Sequence, residues 1–243
     1  MEISKKLAEI IGIHMGDGCI SINSRYSEYA ILGDISEEKE YYDKHLVPLY
    51  NQHIFIPILK KKVLPKSYKK NGTYGIIVFK KEITDYFQSL GVKSGSKLNM
   101  SIPKVILDNK KLWNHFIRGV FDTDGSIYFN KNYSVKEENR KHNQPRIKLG
   151  MTSKKVIMEI YSMLKELGYK PYLKPSYKGK RDKNPVYSIM LQRREDIKRY
   201  IKEIGFNSTK HQTKWKLYQE RGYCPPNTTL EERYNLLKNP KGL

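Results

Sequence analysis

Two stretches of similar sequence decide the fold of this chain. The first reads Ile10-Ile11-Gly12-Ile13-His14-Met15-Gly16-Asp17-Gly18, and the second reads Ile117-Arg118-Gly119-Val120-Phe121-Asp122-Thr123-Asp124-Gly125. Apolar residues at helical spacing lead into both stretches, and an Asp-Gly pair ends both. A glycine inside a helix costs about 1 kcal/mol relative to alanine, so its recurrence at the same place needs a reason. Two helices packed too closely for a Cβ atom provide it. The repeat therefore predicts two helices side by side about a pseudo-twofold axis.

The repeat extends beyond these two motifs. Leu32-Gly33-Asp34-Ile35-Ser36 matches Leu149-Gly150-Met151-Thr152-Ser153, and Phe87-Gln88-Ser89-Leu90-Gly91-Val92 matches Ile201-Lys202-Glu203-Ile204-Gly205-Phe206. All three landmarks recur in the same order at nearly constant spacing, which indicates an internal duplication. Each half is predicted to run helix, two strands, helix, two strands, helix. The predicted fold class is α+β, with two pseudo-symmetric αββαββα units.

The predicted elements divide the chain into four segments. These are a first half over 1–97, a linker with little structure until its end over 98–111, a second half over 112–222, and a tail over 223–243. Helices are expected over 37–50 and 154–167, and a tail helix packed on one half over 230–237. Strands are predicted over 19–24, 29–32, 58–64, 73–79, 127–131, 145–149, 171–176 and 186–192, with Lys70-Asn71-Gly72 turning one hairpin.

Composition points to a folded protein with a polyanionic partner. The 243 residues include 46 Lys and Arg against 25 Asp and Glu, for a formal net charge of +21. A hydrophobic fraction of 38% with 19 Tyr is too rich for a disordered chain. So strong a positive field favours nucleic acid. The alternative is a merely solvated basic surface, produced by a compositional bias toward Lys, Asn, Ile and Tyr.

Several other classes of protein are disfavoured. The sequence has no run of 18 apolar residues, so no membrane span is expected, and its N-terminal residues do not resemble a signal peptide. The two cysteines, Cys19 and Cys224, cannot make a disulfide framework or a zinc site. We therefore expect an intracellular location (cytoplasm, nucleoid or organelle) rather than secretion.

The acids of the two motifs lie where negative charge is unfavourable. Asp17 and Asp124 are at predicted helix C-termini, where the helix dipole opposes a carboxylate. Pairing of the helices would also bring the two carboxylates together. Divalent cations bound by oxygen ligands would offset both penalties. The alternative is that each Asp caps its own turn, which explains one Asp-Gly pair well and two matched pairs poorly.

On these two motifs, the chain resembles the LAGLIDADG homing endonucleases of the monomeric, two-motif type. The resemblance spans residues 5 to about 220. It implies that the motif helices pair at the centre and that two antiparallel sheets form a saddle for double-stranded DNA. It also implies that no protein partner is required. The earlier acid of the motif departs from the family's pattern, since it is Asp122 in the second copy but Met15 in the first.

The resemblance also implies an activity and a metal site. The expected reaction is a metal-dependent double-strand break at a specific target, which leaves short 3′ overhangs. The expected biological role is the homing of a host intron or gene. The implied cofactor is Mg²⁺, with Mn²⁺ or Ca²⁺ able to substitute for binding. Its ligands would be Asp17 and Asp124 with the carbonyls of Gly16 and Thr123. Lys97 matches the family's active-site lysine in the first half, and Lys210 is its candidate in the second half, with His211 as a rival.

The expected DNA-contacting residues follow from strand alternation. Ile20 and Ile22 are apolar and should face the core, as should Leu59 and Leu173, which turns their neighbours toward DNA. Two sheets that each follow about one turn of major groove would cover roughly 20 base pairs. The residues predicted to face DNA are Ser21, Asn23, Arg25, Lys60, Lys62, Tyr128, Asn130, Asn132, Lys174 and Ser176.

Two other functions on the same fold remain open. An RNA maturase would keep the basic saddle and could lose cleavage, and a non-cleaving DNA-binding protein would lose one or both acids. Both Asp17 and Asp124 are present, which favours the nuclease. Nucleases of the HNH and GIY-YIG types lack support, because the six histidines show no paired metal spacing and the Gly-Ile-Tyr signature is absent.

Overall fold

The computed structural model describes residues 3–68, 72–180 and 183–239, so residues 70 and 71 of the predicted turn lie outside it. The helices are α1 (Lys5–Asp17), α2 (Ile35–Tyr41), α3 (Val47–Tyr50), α4 (Ile56–Leu59), α5 (Lys81–Ser89), α6 (Lys104–Leu107), α7 (Trp113–Thr123), α8 (Lys154–Glu166), α9 (Arg194–Glu203), α10 (Thr209–Arg221) and α11 (Leu230–Lys238). The strands are β1 (Gly18–Ile22), β2 (Ser27–Asp34), β3 (Lys66–Tyr68), β4 (Thr73–Val78), β5 (Gly125–Lys131), β6 (His142–Met151), β7 (Tyr172–Tyr177) and β8 (Val186–Leu191). No helix in the described ranges is long and apolar enough to cross a membrane.

The strands form two antiparallel sheets with the same topology. Their orders are β1-β2-β4-β3 and β5-β6-β8-β7. Each sheet belongs to one αββαββα unit, so the predicted fold class and the duplication are confirmed. The strand bounds differ from the prediction by a few residues except at β3.

The two motif helices, α1 and α7, pack against each other at the centre of the molecule. A Cβ atom on Gly12 would overlap the carbonyl oxygen of Phe116, and one on Gly119 would overlap the carbonyl oxygen of Glu9. The predicted close approach of the helices is therefore confirmed. Every residue from 7 to 16 is buried, because α1 meets α7 on one side and its own half on the other.

The prediction is wrong for residues 58–64, which do not form a strand. Helical backbone continues from Ile35 to Leu59, with π-helical turns at Tyr42–Leu46 and Asn51–Phe55. Each wide turn precedes a proline, Pro48 or Pro57, which lacks the N–H of a regular helix. Sequence reasoning takes such prolines as helix breakers, and here the π-helical turns accommodate them.

This error removes the argument for two predicted DNA contacts. Lys60 is the left-handed C-cap of α4, and its Nζ donates to the Pro57 carbonyl at 2.9 Å. Lys62 is exposed in the irregular segment before β3. Neither side chain takes its direction from strand alternation. Leu59, which was expected to face inward from the same strand, is a half-buried helical residue.

The linker is more ordered than predicted. It contains α6 and two short 3₁₀ segments, Lys97–Asn99 and Lys110–Leu112. Met100, Ile102, Ile106 and Leu112 are buried in the hydrophobic core. Ser94-Gly95-Ser96, just before the linker, and Pro103 within it predicted little structure, and the apolar residues between and after them are what anchor the segment.

The tail helix α11 contacts both halves, and the expectation that it packs on one half is wrong. It lies against α10 of the second half and reaches α2 of the first. Arg233 is fully buried: its guanidinium pairs with Glu37 at 2.5 Å and donates to Thr213 Oγ1 at 3.0 Å. Tyr234 Oη also donates to Glu40 at 2.8 Å.

The strands give each sheet two distinct faces. The inner face carries buried residues such as Ile20, Ile31, Ile127 and Leu149, and we refer to the opposite side as the outer face. Directly paired residues point to the same face, so the strand register assigns every paired residue. Ile22 was expected to be buried but is 45% exposed, because β1 ends there.

Candidate active site

The first motif acid, Asp17, is the last residue of α1. Its carboxylate accepts a hydrogen bond of 3.0 Å from Tyr42 Oη. Burial raises the pKa of Asp17 to about 7, and the carboxylates of Glu38 and Asp124 add to the effect. Such a site favours the arrival of a cation.

The second acid, Asp124, caps the C-terminus of α7, where its backbone N–H donates to the Val120 carbonyl at 3.0 Å. Part of its surface is exposed to solvent, yet the surrounding protein displaces much of the water around its carboxylate. This partial burial raises the pKa of Asp124, while the ammonium groups of Lys97 and Lys210 oppose the shift. The two motif acids thus share one electrostatic environment.

The two candidate lysines occupy matching positions in the two halves. Lys97 Nζ donates to the carbonyl of Gly16, and Lys210 Nζ donates to the carbonyl of Thr123 at 3.1 Å. These carbonyls immediately precede Asp17 and Asp124. Each lysine therefore places positive charge beside an acid and a helix-terminal carbonyl, which is where the resemblance puts a metal ion.

His211 does not share this geometry. Its ring is buried and packs on Phe206 with the ring centroids 4.7 Å apart. Burial lowers the pKa of His211 well below its ordinary value, so the ring is neutral at physiological pH. The described contacts place Lys210 rather than His211 at the second carbonyl.

Asp122, the earlier acid of the second motif, has a structural partner. Its carboxylate accepts hydrogen bonds from the backbone N–H groups of Asn207 at 3.0 Å and Ser208 at 3.1 Å. Ser208 is the N-cap of α10, which carries Lys210. Asp122 thus holds the helix that positions Lys210, whereas Met15, its counterpart, is a core residue.

Sequence reasoning missed Glu38 and Tyr42. Glu38 is 6% exposed, forms an ion pair with Lys210, and accepts a hydrogen bond of 2.7 Å from the Asp34 N–H. Acids are common in the first turn of a helix, so nothing in the sequence marked Glu38 as a neighbour of the motifs. Glu38 is the fourth residue after the N-cap of α2, and the corresponding residue of α8 is the buried Ile157, so the second half has no equivalent acid there.

A cleft of about 630 Å³ opens between the halves beside these residues. Asp17 and Glu38 line it from the first half, and Thr123, Ser126 and Lys210 line it from the second. No group of three or more His, Cys, Asp or Glu side chains in the described ranges could hold a metal ion by itself. Two carboxylates and two carbonyls are nevertheless hard oxygen donors, and Mg²⁺ commonly combines one or two carboxylates with substrate phosphates. The residues present therefore fit such an ion.

The predicted DNA-contacting residues of the first half lie around β1. Ser21 pairs with Glu28 on the outer face. Asn23 Oδ1 accepts hydrogen bonds from the backbone N–H groups of Arg25 and Tyr26, so Asn23 shapes the turn that presents the exposed Arg25.

In the second half, Tyr128, Asn130 and Lys174 lie on the outer face. Asn132 Oδ1 accepts hydrogen bonds from the Ser134 N–H at 3.0 Å and from Gln144 Nε2 at 3.1 Å. Ser176 lies in the irregular stretch where the register between β7 and β8 shifts. The role of these residues in DNA binding stays a prediction.

The second sheet has outer-face residues that were missed. Gln144, Arg146 and Lys148 of β6 pair with Asn130, Tyr128 and Ser126. Their alternation with the buried Ile147 and Leu149 is visible in the sequence and could have identified them.

Comparisons with known proteins agree with this architecture. The LAGLIDADG-like domain family profile matches residues 114–205. A variant of the homing endonuclease I-DmoI matches with a TM-score of 0.57 and 20% identity, over 84% of this chain and 97% of that chain. A mutant of I-SmaMI matches with a TM-score of 0.56 and 11% identity, over 99% and 98% of the two chains.

A further match is the LAGLIDADG homing endonuclease I-LtrWI bound to its target DNA, with a TM-score of 0.54 and 10% identity over 97% of this chain and 91% of that one. Other I-DmoI structures hold DNA with Mn or Mg. The comparison with curated sequences gave no match. The resemblance inferred from the two motifs is confirmed at the level of the fold and of the second-half domain.

Proposed function

We propose that this chain, which carries a LAGLIDADG-like domain and has the fold of the two-domain LAGLIDADG homing endonucleases, is a site-specific DNA endonuclease. One observation carries the proposal. Each motif helix ends in an acid, and the carbonyl before that acid accepts a hydrogen bond from a lysine of the same half. A protein that only binds DNA has no need for this arrangement twice.

The arrangement suits phosphodiester hydrolysis. A bound divalent cation, Mg²⁺ for preference, would neutralise the phosphate and activate water. Asp17 and Asp124, with the carbonyls of Gly16 and Thr123, would hold it. Because these carbonyls also accept hydrogen bonds from Lys97 and Lys210, the two ammonium groups lie close enough to the acids to offset the negative charge of a bound phosphate. The acid of each half would take part in the cleavage of one DNA strand.

The finer features of the proposal rest on the family resemblance. The chain would act as a monomer on a target of roughly 20 base pairs, the span of about one turn of major groove for each sheet. The expected products carry short 3′ overhangs. The expected setting is an intracellular one, in which cleavage promotes the homing of a host intron or gene.

A cleavage-site selection tests this function. The protein is incubated with Mg²⁺ and a randomised or host-derived DNA library, beside the Asp17→Asn/Asp124→Asn double variant. Defined double-strand breaks made only by the unaltered protein support the proposal. Tight duplex binding without cleavage would favour a non-cleaving DNA-binding protein, and preference for structured RNA would favour a maturase.

A further inference from the structure

The outer faces of the two sheets differ in chemistry although their topology is the same. In the first sheet, Ala30 pairs with Ile77, and Leu32 follows Ala30 on the same face. Ile77 and Leu32 are half-buried, so their side chains remain partly accessible. The centre of this face is therefore apolar.

The charges on the first outer face are mostly negative. Among its paired residues are two acids, Glu28 and Asp34, and one cation, Lys66. Glu28 lies directly opposite Ser21 near the far end of β1. The strands of this face therefore offer little attraction to phosphates, and its lysines lie at the β3 edge, where Lys61, Lys62, Lys66 and Lys80 line a groove beside Ile77.

The second outer face is basic around Met190 and the aromatic rings of Tyr128 and Tyr172. Arg146, Lys148 and Lys174 lie on it, and no acid is present among its paired residues in the part of β5 to β8 that the structure describes. Lys148 pairs with Ser126, and Lys174 pairs with Ser188. The paired strand positions of the two equivalent sheets thus differ in the sign of their charges.

We propose that the two sheets read their half-sites differently: the first recognises thymine methyl groups through its apolar centre, and the second supplies most of the phosphate and guanine contacts that are made from strand positions. The inference rests on the proposed function, because it assumes that both outer faces lie in DNA grooves. Apolar side chains discriminate thymine by its C5-methyl group, whereas Arg and Lys bind guanine edges and phosphates. The half-site beneath the first sheet is therefore expected to be richer in A·T pairs.

The orientation of the target can be mapped through Cys19. Cys19 is exposed and pairs with Ala30 on the first outer face, while Cys224 is buried. A DNA-cleaving iron chelate attached to Cys19 should cut within one half-site of the selected target. That cut identifies the half-site beneath the first sheet.

Replacement of thymine by uracil then tests methyl recognition. Binding is measured by fluorescence anisotropy in Ca²⁺, so cleavage is not needed. Uracil in the half-site marked by Cys19 should weaken binding by about fourfold for each contacted methyl group. Uracil in the other half-site should change it less than twofold. Equal losses in both half-sites, or no loss in the marked one, would overturn the inference.

Charge variants test the second sheet independently. The Lys148→Gln/Lys174→Gln variant should reduce the slope of log K against log salt by about 2 if each lysine contacts one phosphate. Lys198→Gln/Lys202→Gln removes the same two charges from exposed positions on α9 and should leave the slope unchanged. Glu28→Gln should strengthen binding.

The outcomes separate this inference from the function on which it rests. If Lys148→Gln/Lys174→Gln leaves the slope unchanged, the division between the sheets is wrong although the protein still binds its target. If no duplex is bound or cleaved by the unaltered protein, the proposed function itself fails.

Discussion

Glu9 connects the two halves through a buried carboxylate. Its Oε1 lies 2.6 Å from His45 Nε2 and accepts a hydrogen bond from Asn207 Nδ2 at 2.7 Å, while Arg118 pairs with its Oε2 at 3.0 Å. Burial alone would raise the pKa of Glu9, but the hydrogen bond from His45 and the charge of Arg118 outweigh it and lower the value to about 2. The carboxylate is therefore more acidic in the folded state than in the unfolded one.

This shift predicts a pH window for stability. The contribution of Glu9 should be complete above its ordinary pKa of 4.5 and should be lost as the pH falls toward about 2. Glu9→Gln should therefore lower the free energy of unfolding at pH 7 by on the order of 3 kcal/mol, with a smaller difference near pH 2. Urea unfolding of both proteins at several pH values measures this difference in the free energy of unfolding. The exposed Glu82→Gln serves as the control, and a pH-independent deficit in Glu9→Gln would contradict the prediction.

Asp122 allows a prediction about activity. Asp122→Ala removes the acceptor for the N–H groups of Asn207 and Ser208 and should destabilise the protein by about 1–3 kcal/mol. Because α10 then loses the contact that fixes its start, Lys210 should leave the Thr123 carbonyl. Cleavage should slow on the order of 10- to 100-fold at a temperature where the variant remains folded.

The matched control is Met15→Leu, which alters the same motif position in the first half. It nearly conserves volume and should cost less than about 1.5 kcal/mol. Thermal unfolding by circular dichroism establishes the folded range, and cleavage is timed within it. Full activity in folded Asp122→Ala would show that Asp122 does not position Lys210.

The residues that sequence could identify are those with a local signature. Asp17 and Asp124 follow glycine-containing helical motifs, and the repeat marks both. Glu38 of α2 and Tyr42 of the π-helical turn after it lie near Asp17 only because this helical stretch packs beside the end of α1, and no local pattern encodes that proximity. Asp122 was recognised as a departure between the copies, but its partners lie 85 and 86 positions away in the chain.

At the scale of elements, the sequence pattern predicts the strands better than it predicts where a long helix ends. Seven of the eight predicted strands correspond to strands in the structure. The exception follows Pro57, where two π-helical turns carry helical backbone farther than propensity suggests. The start of α11 has a local signal, a capping box between Thr229 and Glu232, whereas its docking across both halves has none.

The docking of α11 depends on Arg233. Arg233→Met should lower the free energy of unfolding by about 3 kcal/mol, because it breaks a buried ion pair and leaves Glu37 unpaired. The loosened helix should also expose residues 223–229 to proteases. Limited proteolysis and urea unfolding measure the two effects.

A double-mutant cycle with Glu37→Gln separates the ion pair from the other contacts of Arg233. The two substitutions should be less than additive, since each breaks the same pair. Strict additivity together with unchanged proteolysis would show that the ion pair does not fasten the helix.

The whole molecule depends on contacts between its duplicated units. Residues 7–16 of α1 are buried on all sides, partly against α7, and Glu9 bonds to Arg118 and Asn207 of the second half. Because α1 is covered by protein on every side, removal of α7 would expose apolar side chains of α1 to water. Sequence showed the duplication, but the dependence of each unit on the other appears only in the assembled contacts.

This dependence predicts the behaviour of an isolated unit. Residues 1–97 alone should not form a stable monomer, because the surface of α1 that packs on α7 would face water, as would the carboxylate of Glu9 without two of its partners. The segment should either unfold or pair with a second copy through α1. Light scattering after size-exclusion chromatography measures the mass, and urea unfolding measures the stability, beside the full chain. A monodisperse monomer that unfolds cooperatively would show that each αββαββα unit is an independent domain, and the interface between α1 and α7 would then be a docking contact rather than a shared core.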